Sequence, residues 1–434
     1  MTYAETLEFL YTKLPLFSRM GSAALKKDLT NTRILCDRLD NPQDQFKTIH
    51  IAGTNGKGSV SHMLAAILQQ AGYKTGLYTS PHLHDFRERI RINGELMEEA
   101  AVVDFVERTR ELTETIEPSF FELTVAMAFD YFARQQVDVA VIEVGLGGRL
   151  DSTNIISPEL SVITNIGLDH VALLGNTLAE IAAEKGGIIK EHTPVVIGEK
   201  HPETAPVFTR IALEKAAPLF FAEDSYSVTA YELTAARLKL HVADTQTGSP
   251  QTFALDLPGV YQKKNILSVL KAVDVLKEKG WQLTSDHLRS ALQQVKSLTG
   301  LHGRWEVMRQ KPTVVLEVAH NEDGMRQMLQ HLQLISYDRL HLVFGMVKDK
   351  DITSVLKLLP KEATYYFTQA DIPRALDGPS LQAEASVYQL QGETYANVND
   401  ALGAALSAAG ANDLILVCGS IFLVAEVSEE FRDA

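Results

Sequence analysis

The sequence predicts an α/β fold made of two consecutive α/β series, with a small β subdomain between them. Three observations carry that prediction. From residue 48 to about 197, short β-favouring runs alternate with helix-period segments, the pattern of a mostly parallel sheet with helices on both faces. From about 219 to 257 the rhythm changes to alternating polar text, "SYSVTAYEL" and "RLKLHVAD". Beyond the turn "LTGLHGRWE" at 298–306 a second α/β series begins. The expected division is residues 1–298, including the β subdomain, and a smaller domain at 299–434; a chain of this length suits two or three domains.

Helical text, "MTYAETLEFLYTKL", opens the chain. Residues 48–52 form a β-favouring run that ends in the glycine turn "GTNGKGS". Val60, Met63, Leu64, Ile67 and Leu68 then recur on one helical face, and Gly72 stops that helix. Further strands are expected at "TGLYT", "VDVAVIEV", "LSVITNI" and "PVVIG". Helices are expected around 99–111, 121–135 and 177–189, the last opened by a capping box of Thr177 and Glu180. The second series offers strands at "TVVLEVAHN", "HLVFGMV", "ATYYFTQA" and "DLILVCGS". The apolar stretch "LILVCGSIFLVAEV" is broken by Gly419-Ser420 and is too short to span a bilayer. It is expected to be a buried strand running into a helix.

Composition limits the function classes. With 45% hydrophobic and 22% charged residues the chain reads as globular, with enough apolar sequence for a large core. A net charge of −14 argues against a general binder of nucleic acid or anionic membrane. An anionic substrate therefore needs a local cluster of donors. The two cysteines, Cys36 and Cys418, cannot form a disulfide framework or a cysteine zinc site by themselves. Together with an N-terminus lacking a basic, then apolar, leader, they lead us to expect a reduced, cytoplasmic setting.

The loop "GTNGKGS", Gly53 to Ser59, departs from the usual G-x-x-x-x-G-K-[ST] pattern, because Gly58 separates Lys57 from Ser59. A strand, a glycine turn and a helix N-terminus still converge there, which makes an anion site. Lys57 could reach β and γ phosphates and the Ser59 hydroxyl a magnesium ion; the alternative is a plain turn with a solvated lysine. Ser80 follows a strand in "YTSPHLHDFRERIRIN", where ligands of open α/β sheets gather. In an extended segment Arg87, Arg89 and Arg91 would share one face, serving either a polyanionic substrate or a charged sheet edge. Glu143 ends a β-branched run before a glycine-rich turn and is a good hard-metal ligand. Asp169 and His170 follow another strand, although a nitrogen ligand is unusual for Mg²⁺. Lys185 near a helix end reads most simply as a dipole contact. In the second series Arg304, Glu317, His320 and Asn321 stand near a strand end and serve equally as ligand contacts or ordinary ion pairs.

Taken in order, "GTNGKGS", "TSPHL…FRERI", "FFELT…AF", "EVGLGGRLDSTN", "ITNIGLDH…LGNT…IAAEKGGIIK", "GVYQKKN", "HGRWE", "AHN" and "GMVKDKD" resemble the folylpolyglutamate synthase and dihydrofolate synthase family, a branch of the Mur-type ATP-dependent amide ligases. That resemblance implies an N-terminal P-loop ATPase domain, a smaller C-terminal Rossmann-like domain, and use of ATP and Mg²⁺. It places Gly53, Thr54, Asn55, Gly56, Lys57, Gly58 and Ser59 on the triphosphate, with Asn265, Arg304 and Glu317 as further nucleotide contacts. Ser59, Ser80, Glu143 and His170 correspond to magnesium ligands, and Lys185 to a lysine often carried as a carbamate. Lys57, Lys185 and His320 are the expected catalytic set, with His320 and Ser420 near the incoming L-glutamate. Phe121 and Asp151 match positions that hold a pterin, and Arg89 is taken as a further substrate contact. The implied substrates are dihydropteroate, reduced folates and L-glutamate, handled by a monomer with no nucleic-acid or membrane partner. A monofunctional folylpolyglutamate synthase is the alternative. A peptidoglycan Mur ligase is disfavoured, since only 52 residues precede Gly53. Two departures stand out: Glu317 where the family usually has Asp, and "EKGGI" where it has "EKAGI".

Overall fold

A computed structural model describes residues 1–24, 26 and 28–433. The chain divides into two compact units. Unit 1 comprises Met1–Glu232, Lys239–Asp256 and Gln262–Leu301, and unit 2 comprises Leu233–Leu238, Leu257–Tyr261 and His302–Ala434.

Unit 1 is built on an eight-stranded sheet. Its strands are β1 (Lys47–Ala52), β2 (Thr75–Tyr78), β3 (Ile90–Ile92), β4 (Glu95–Leu96), β5 (Val139–Glu143), β6 (Leu160–Ile163), β7 (Val195–Ile197) and β8 (Leu219–Phe221), in the order β4-β3-β2-β5-β1-β6-β7-β8. From β2 to β8 every pairing is parallel, and only the β2–β3 and β3–β4 pairings at one edge are antiparallel. The central strands are buried on both faces, so their sequences are continuous β-branched runs rather than alternating ones. Helices cover the sheet. Lys57–Gln70 has its apolar positions buried as the periodicity predicts, and Phe120–Arg134 opens with a Ser119/Glu122 capping box. The Thr177/Glu180 capping box opens Leu178–Gly186 as expected.

The β subdomain is narrower than the sequence implied. It is a three-stranded sheet of β9 (Tyr226–Leu233), β10 (Leu238–Asp244) and β11 (Pro250–Leu255). Residues 219–221 instead extend the main sheet as β8, pairing parallel with β7. A second correction concerns the arginines. Phe86–Arg89 is a 3-10 turn capped reciprocally by Asp85 and Glu88, and only Ile90–Ile92 is extended. Arg87, Arg89 and Arg91 therefore do not share one face.

Unit 2 holds a six-stranded sheet of β12 (Glu306–Gln310), β13 (Thr313–Leu316), β14 (Leu340–Phe344), β15 (Thr364–Phe367), β16 (Gly392–Thr394) and β17 (Leu414–Cys418). The order is β12-β13-β17-β14-β15-β16, parallel except for the β12–β13 hairpin. Strand β17 is wholly buried and leads through Gly419-Ser420 into the short helix Ile421–Ala425. No described helix is long and apolar enough to cross a membrane.

Candidate nucleotide and ligand site

Sheet order arranges the unit 1 motifs. Strands β2, β5, β1 and β6 are consecutive parallel neighbours. Their carboxyl ends carry, in the same order, Ser80, Glu143, the Gly53–Ser59 loop and the Thr164–His170 segment. Open α/β sheets bind ligands at such ends.

The loop is tied on both sides. Gly56 is the left-handed cap of the helix, with φ +83°, and a Cβ there would lie 2.3 Å from Asn265 Oδ1. At Gly53 a Cβ would lie 1.9 Å from Thr164 Oγ1, so both glycines are required by close approach. The Thr54 hydroxyl donates to Gly167 O at 3.1 Å and accepts from its N–H at 2.9 Å. The Asn55 N–H donates to Asn165 Oδ1 at 2.8 Å. Thr164 Oγ1 donates to Asn55 O at 2.5 Å. These contacts hold the backbone of the loop in one shape.

Two lysines meet on one carbonyl. Lys57 Nζ donates to Gly53 O at 3.1 Å and to Thr54 O at 3.2 Å, while the buried Lys185 Nζ donates to Gly53 O at 2.9 Å. Two ammonium groups side by side repel each other, so the arrangement favours a polyanion in the loop. Lys185 thus contacts the loop and is not just a helix-end charge. The Gly186 departure has a packing account: a Cβ there would meet Ile211 Cδ1 at 2.7 Å, so this side chain fills the space an alanine would take.

On the other side, Ser59 is buried and its Oγ accepts from Gln262 Nε2 at 3.1 Å; Gln262 Oε1 in turn accepts from Asn265 Nδ2 at 2.7 Å. Gln262 was missed in the sequence, although its i, i+3 spacing from Asn265 within "GVYQKKN" places both on one helical face. The Ser80 N–H donates to Glu143 Oε2 at 3.3 Å. His170 takes a left-handed backbone (φ 49°) at the start of the short helix Val171–Leu174 and packs edge-on against Phe17. Its ring lies 3.9 Å from Asp169 Oδ1. No group of three or more His, Cys, Asp and Glu gathers as a metal site among the described residues. Hydroxyl and carboxylate oxygens are the hard donors Mg²⁺ prefers, completed by water and phosphate, and Ser59, Ser80 and Glu143 fit that chemistry.

The substrate candidates fall into two groups. Phe121 sits over the glycine turn, its ring 2.4 Å from where a Gly145 Cβ would stand, and lies against Tyr78 with ring centroids 6.2 Å apart. Asp151 is buried and accepts from the Leu146 N–H at 2.8 Å and the Thr153 N–H at 3.0 Å. Burial raises its carboxyl above the ordinary carboxylate range, against those hydrogen bonds. Arg89 is buried against His82, whose Nδ1 accepts from Arg89 Nε at 2.7 Å, and over the Phe120 ring at 5.2 Å. Burial lowers the pKa of Arg89 and pushes the His82 imidazole down to about 3. Arg87 instead pairs with Asp85 at 2.7 Å, and Arg91 donates to Gly94 O at 3.0 Å.

Unit 2 presents its own strand ends. Parallel β13 and β17 lead to His320 and Ser420, and the Gly419 N–H donates to Ala319 O at 3.1 Å between them. His320 Nδ1 lies 3.0 Å from Val318 O, so that nitrogen carries a proton. Asn321 and Ser420 cap the helices that follow. Glu317 is buried, and its Oε2 accepts from Tyr261 Oη at 2.8 Å and the Trp305 N–H at 2.9 Å. Burial raises its carboxyl, with the positive charge of Arg304 opposing. The longer side chain lets it bridge two segments of unit 2, a physical reason for Glu here.

Fold and loop together define a nucleotide-dependent ligase of the Mur type. Family models agree: the Mur ligase middle domain matches residues 51–273 and the Mur ligase glutamate ligase domain matches 303–421. The dihydrofolate synthase/folylpolyglutamate synthase of Bacillus subtilis is 34% identical over 418 residues, covering 94% of this chain and 96% of the relative. Among solved structures, Escherichia coli FolC in complex with DHPP and ADP has a TM-score of 0.84 at 31% identity, covering 98% of this chain and 96% of that one. A bifunctional folylpolyglutamate synthase/dihydrofolate synthase with Mn, AMPPNP and L-glutamate bound has a TM-score of 0.82 at 28% identity, covering 98% and 97%. The chain belongs to the dihydrofolate synthase/folylpolyglutamate synthase family of Mur ligases.

Proposed function

We propose that this chain joins L-glutamate to the carboxylate of dihydropteroate and to the γ-carboxylate of tetrahydrofolate, with ATP as the activating nucleotide. One observation carries the reading: two lysines converge on the carbonyl of Gly53, beside a Ser80–Glu143 pair at the next strand ends. That is a place for a triphosphate and a hard cation. The acceptor carboxylate attacks the γ-phosphorus, ADP leaves, and an acyl phosphate results. The neutral amine of L-glutamate then attacks the acyl carbon, and the tetrahedral adduct expels phosphate to leave the amide.

The roles follow from the chemistry. Gly53 to Ser59 and Asn265 cradle the phosphates, and Lys57 and Arg304 offset charge as the phosphoryl group transfers. Ser59, Ser80, Glu143 and His170 would hold Mg²⁺, which when bound neutralises phosphate charge. Lys185 as a carbamate would turn a repelling cation into an anion beside that metal. Phe121, Asp151 and Arg89 bind the acceptor, Glu317 sets the Arg304 segment for the nucleotide, and His320 and Ser420 receive the glutamate. We further propose that residues 1–298 and 299–434 are the functional domains and that the protein acts as a cytoplasmic monomer on these small molecules, without nucleic-acid or membrane partners.

The test is ADP release by purified protein with Mg²⁺, ATP and L-glutamate. Turnover with both dihydropteroate and tetrahydrofolate is expected. Turnover with tetrahydrofolate alone would reduce the enzyme to a folylpolyglutamate synthase, and turnover with neither would refute the reading.

A further inference from the structure

Behind Asp151 runs a buried chain of polar groups that the reaction above does not use. Thr153 Oγ1 lies 2.5 Å from Asp151 Oδ1, and His50 Nε2 lies 2.8 Å from the same hydroxyl. His50 and Thr153 are both fully buried. A hydroxyl has one proton, and the carboxylate takes it. The hydroxyl oxygen must then accept from His50, so Nε2 carries the imidazole proton. Burial holds the ring neutral, its pKa pushed down to about 3, with the charge of Lys190 acting in the same sense. Its Nδ1 is left buried with no hydrogen-bond partner.

A buried histidine that leaves one nitrogen unsatisfied costs stability, and an apolar residue on this inner strand would avoid that cost. What the histidine supplies is direction. It donates to Thr153, so the hydroxyl cannot rotate away from Asp151. The Thr153 N–H at 3.0 Å secures the same carboxylate oxygen, and the Leu146 N–H at 2.8 Å secures the other. The carboxylate plane is thereby fixed relative to β1, and three residues beyond His50 that strand becomes Gly53 of the phosphate loop. Oδ1 already accepts twice from Thr153, so Oδ2 is the oxygen left to accept an N–H of a 2-amino-4-oxopyrimidine edge.

We propose that His50 and Thr153 are positioning residues for the pterin-bearing acceptor, acting through Asp151. This rests on the reading of Asp151 as an acceptor contact. Steady-state kinetics of the full chain with dihydropteroate, at saturating ATP and L-glutamate, provide the test. His50→Leu and Thr153→Val each raise the acceptor KM about tenfold, the loss expected of one hydrogen bond to a charged group. KM for ATP stays within about twofold, Thr153→Ser restores the acceptor KM, and the double variant is no worse than either single one. Thr153→Val is close to isosteric and keeps the test informative if His50→Leu does not fold. Unchanged acceptor KM in folded variants overturns the proposal, as does an equal rise in KM for ATP, which would place the effect in the phosphate loop. Asp151→Asn separates the two readings. If it leaves the acceptor KM unchanged, the acceptor site itself is misassigned and the proposal falls with it; if it raises KM while the relay variants do not, only the relay is wrong.

Discussion

Replacing Gly56 by alanine tests the loop at the point where backbone and side-chain arguments meet. The residue has φ +83°, and an L-residue in that left-handed conformation costs about 1–2 kcal/mol. The added Cβ would lie 2.3 Å from Asn265 Oδ1, which must move. Moving Asn265 breaks its 2.7 Å bond to Gln262, whose other end holds Ser59. A buried bond lost with its partner left unsatisfied costs a further ~1–3 kcal/mol. Gly72→Ala is the matched control just beyond the other end of the same helix. Its φ is +91°, but nothing lies within 4 Å of the added carbon, so only the backbone cost of about 1–2 kcal/mol applies. Thermal unfolding should therefore rank wild type above Gly72→Ala above Gly56→Ala. KM for ATP should rise about tenfold or more in Gly56→Ala, in line with the lost bonds, and stay unchanged in Gly72→Ala. Equal destabilisation of the two variants, or a normal KM for ATP in Gly56→Ala, refutes the account of Asn265 and Gln262 as the loop's support.

Three further outcomes follow from the same structure. His170→Ala should raise the Mg²⁺ concentration needed for half-maximal ADP release several-fold, and an unchanged Mg²⁺ titration would remove this side chain from the metal shell. Glu317→Asp should destabilise the protein by about 2–4 kcal/mol, because the shorter chain withdraws from Tyr261 and Trp305 and bonds to a buried carboxylate are strong; urea unfolding measures it, and wild-type stability would undo the bridging argument. Glu306 gives a pH dependence: burial would raise its carboxyl, but hydrogen bonds from His302, the Gly303 N–H and Arg432 hold it at about 2 against an ordinary 4.5. A depressed carboxylate stabilises the fold above its unfolded pKa and loses that contribution as pH falls towards the folded value. Between pH ~4.5 and ~2 the wild type should lose on the order of 2–3 kcal/mol that Glu306→Gln does not lose; Trp305 emission in a Trp281→Phe background would follow it, and parallel pH profiles would refute the assignment.

What could be read from the sequence, and what could not, separates local from distant constraints. The conformation of the Gly53–Ser59 loop was legible because its strand, its glycines and its helix period are contiguous, and each has a single conformational reading. Placing Ser80, Glu143 and His170 at strand ends was legible for the same reason, although only the β2-β5-β1-β6 order makes those ends neighbours. The arginine misreading came from assuming extension where the text also carried a stop signal. Asp85 and Glu88 spell a capping box across "DFRE", which fixes a turn and sends the three side chains apart. Glu317 was legible as a charge but not as a bridge, because Tyr261 stands 56 residues away. His50 was harder still. A single histidine in a β-favouring run has two readings, and its partner Thr153 lies 103 residues on. Local pattern thus reveals the groups we propose to contact phosphate, since their geometry is set by adjacent residues. The groups that orient those contacts come from other strands and helices, and only the folded packing identifies them. Residues such as Gln262, Tyr261 and His50 are therefore where substitutions should change affinity without removing any group that touches a substrate.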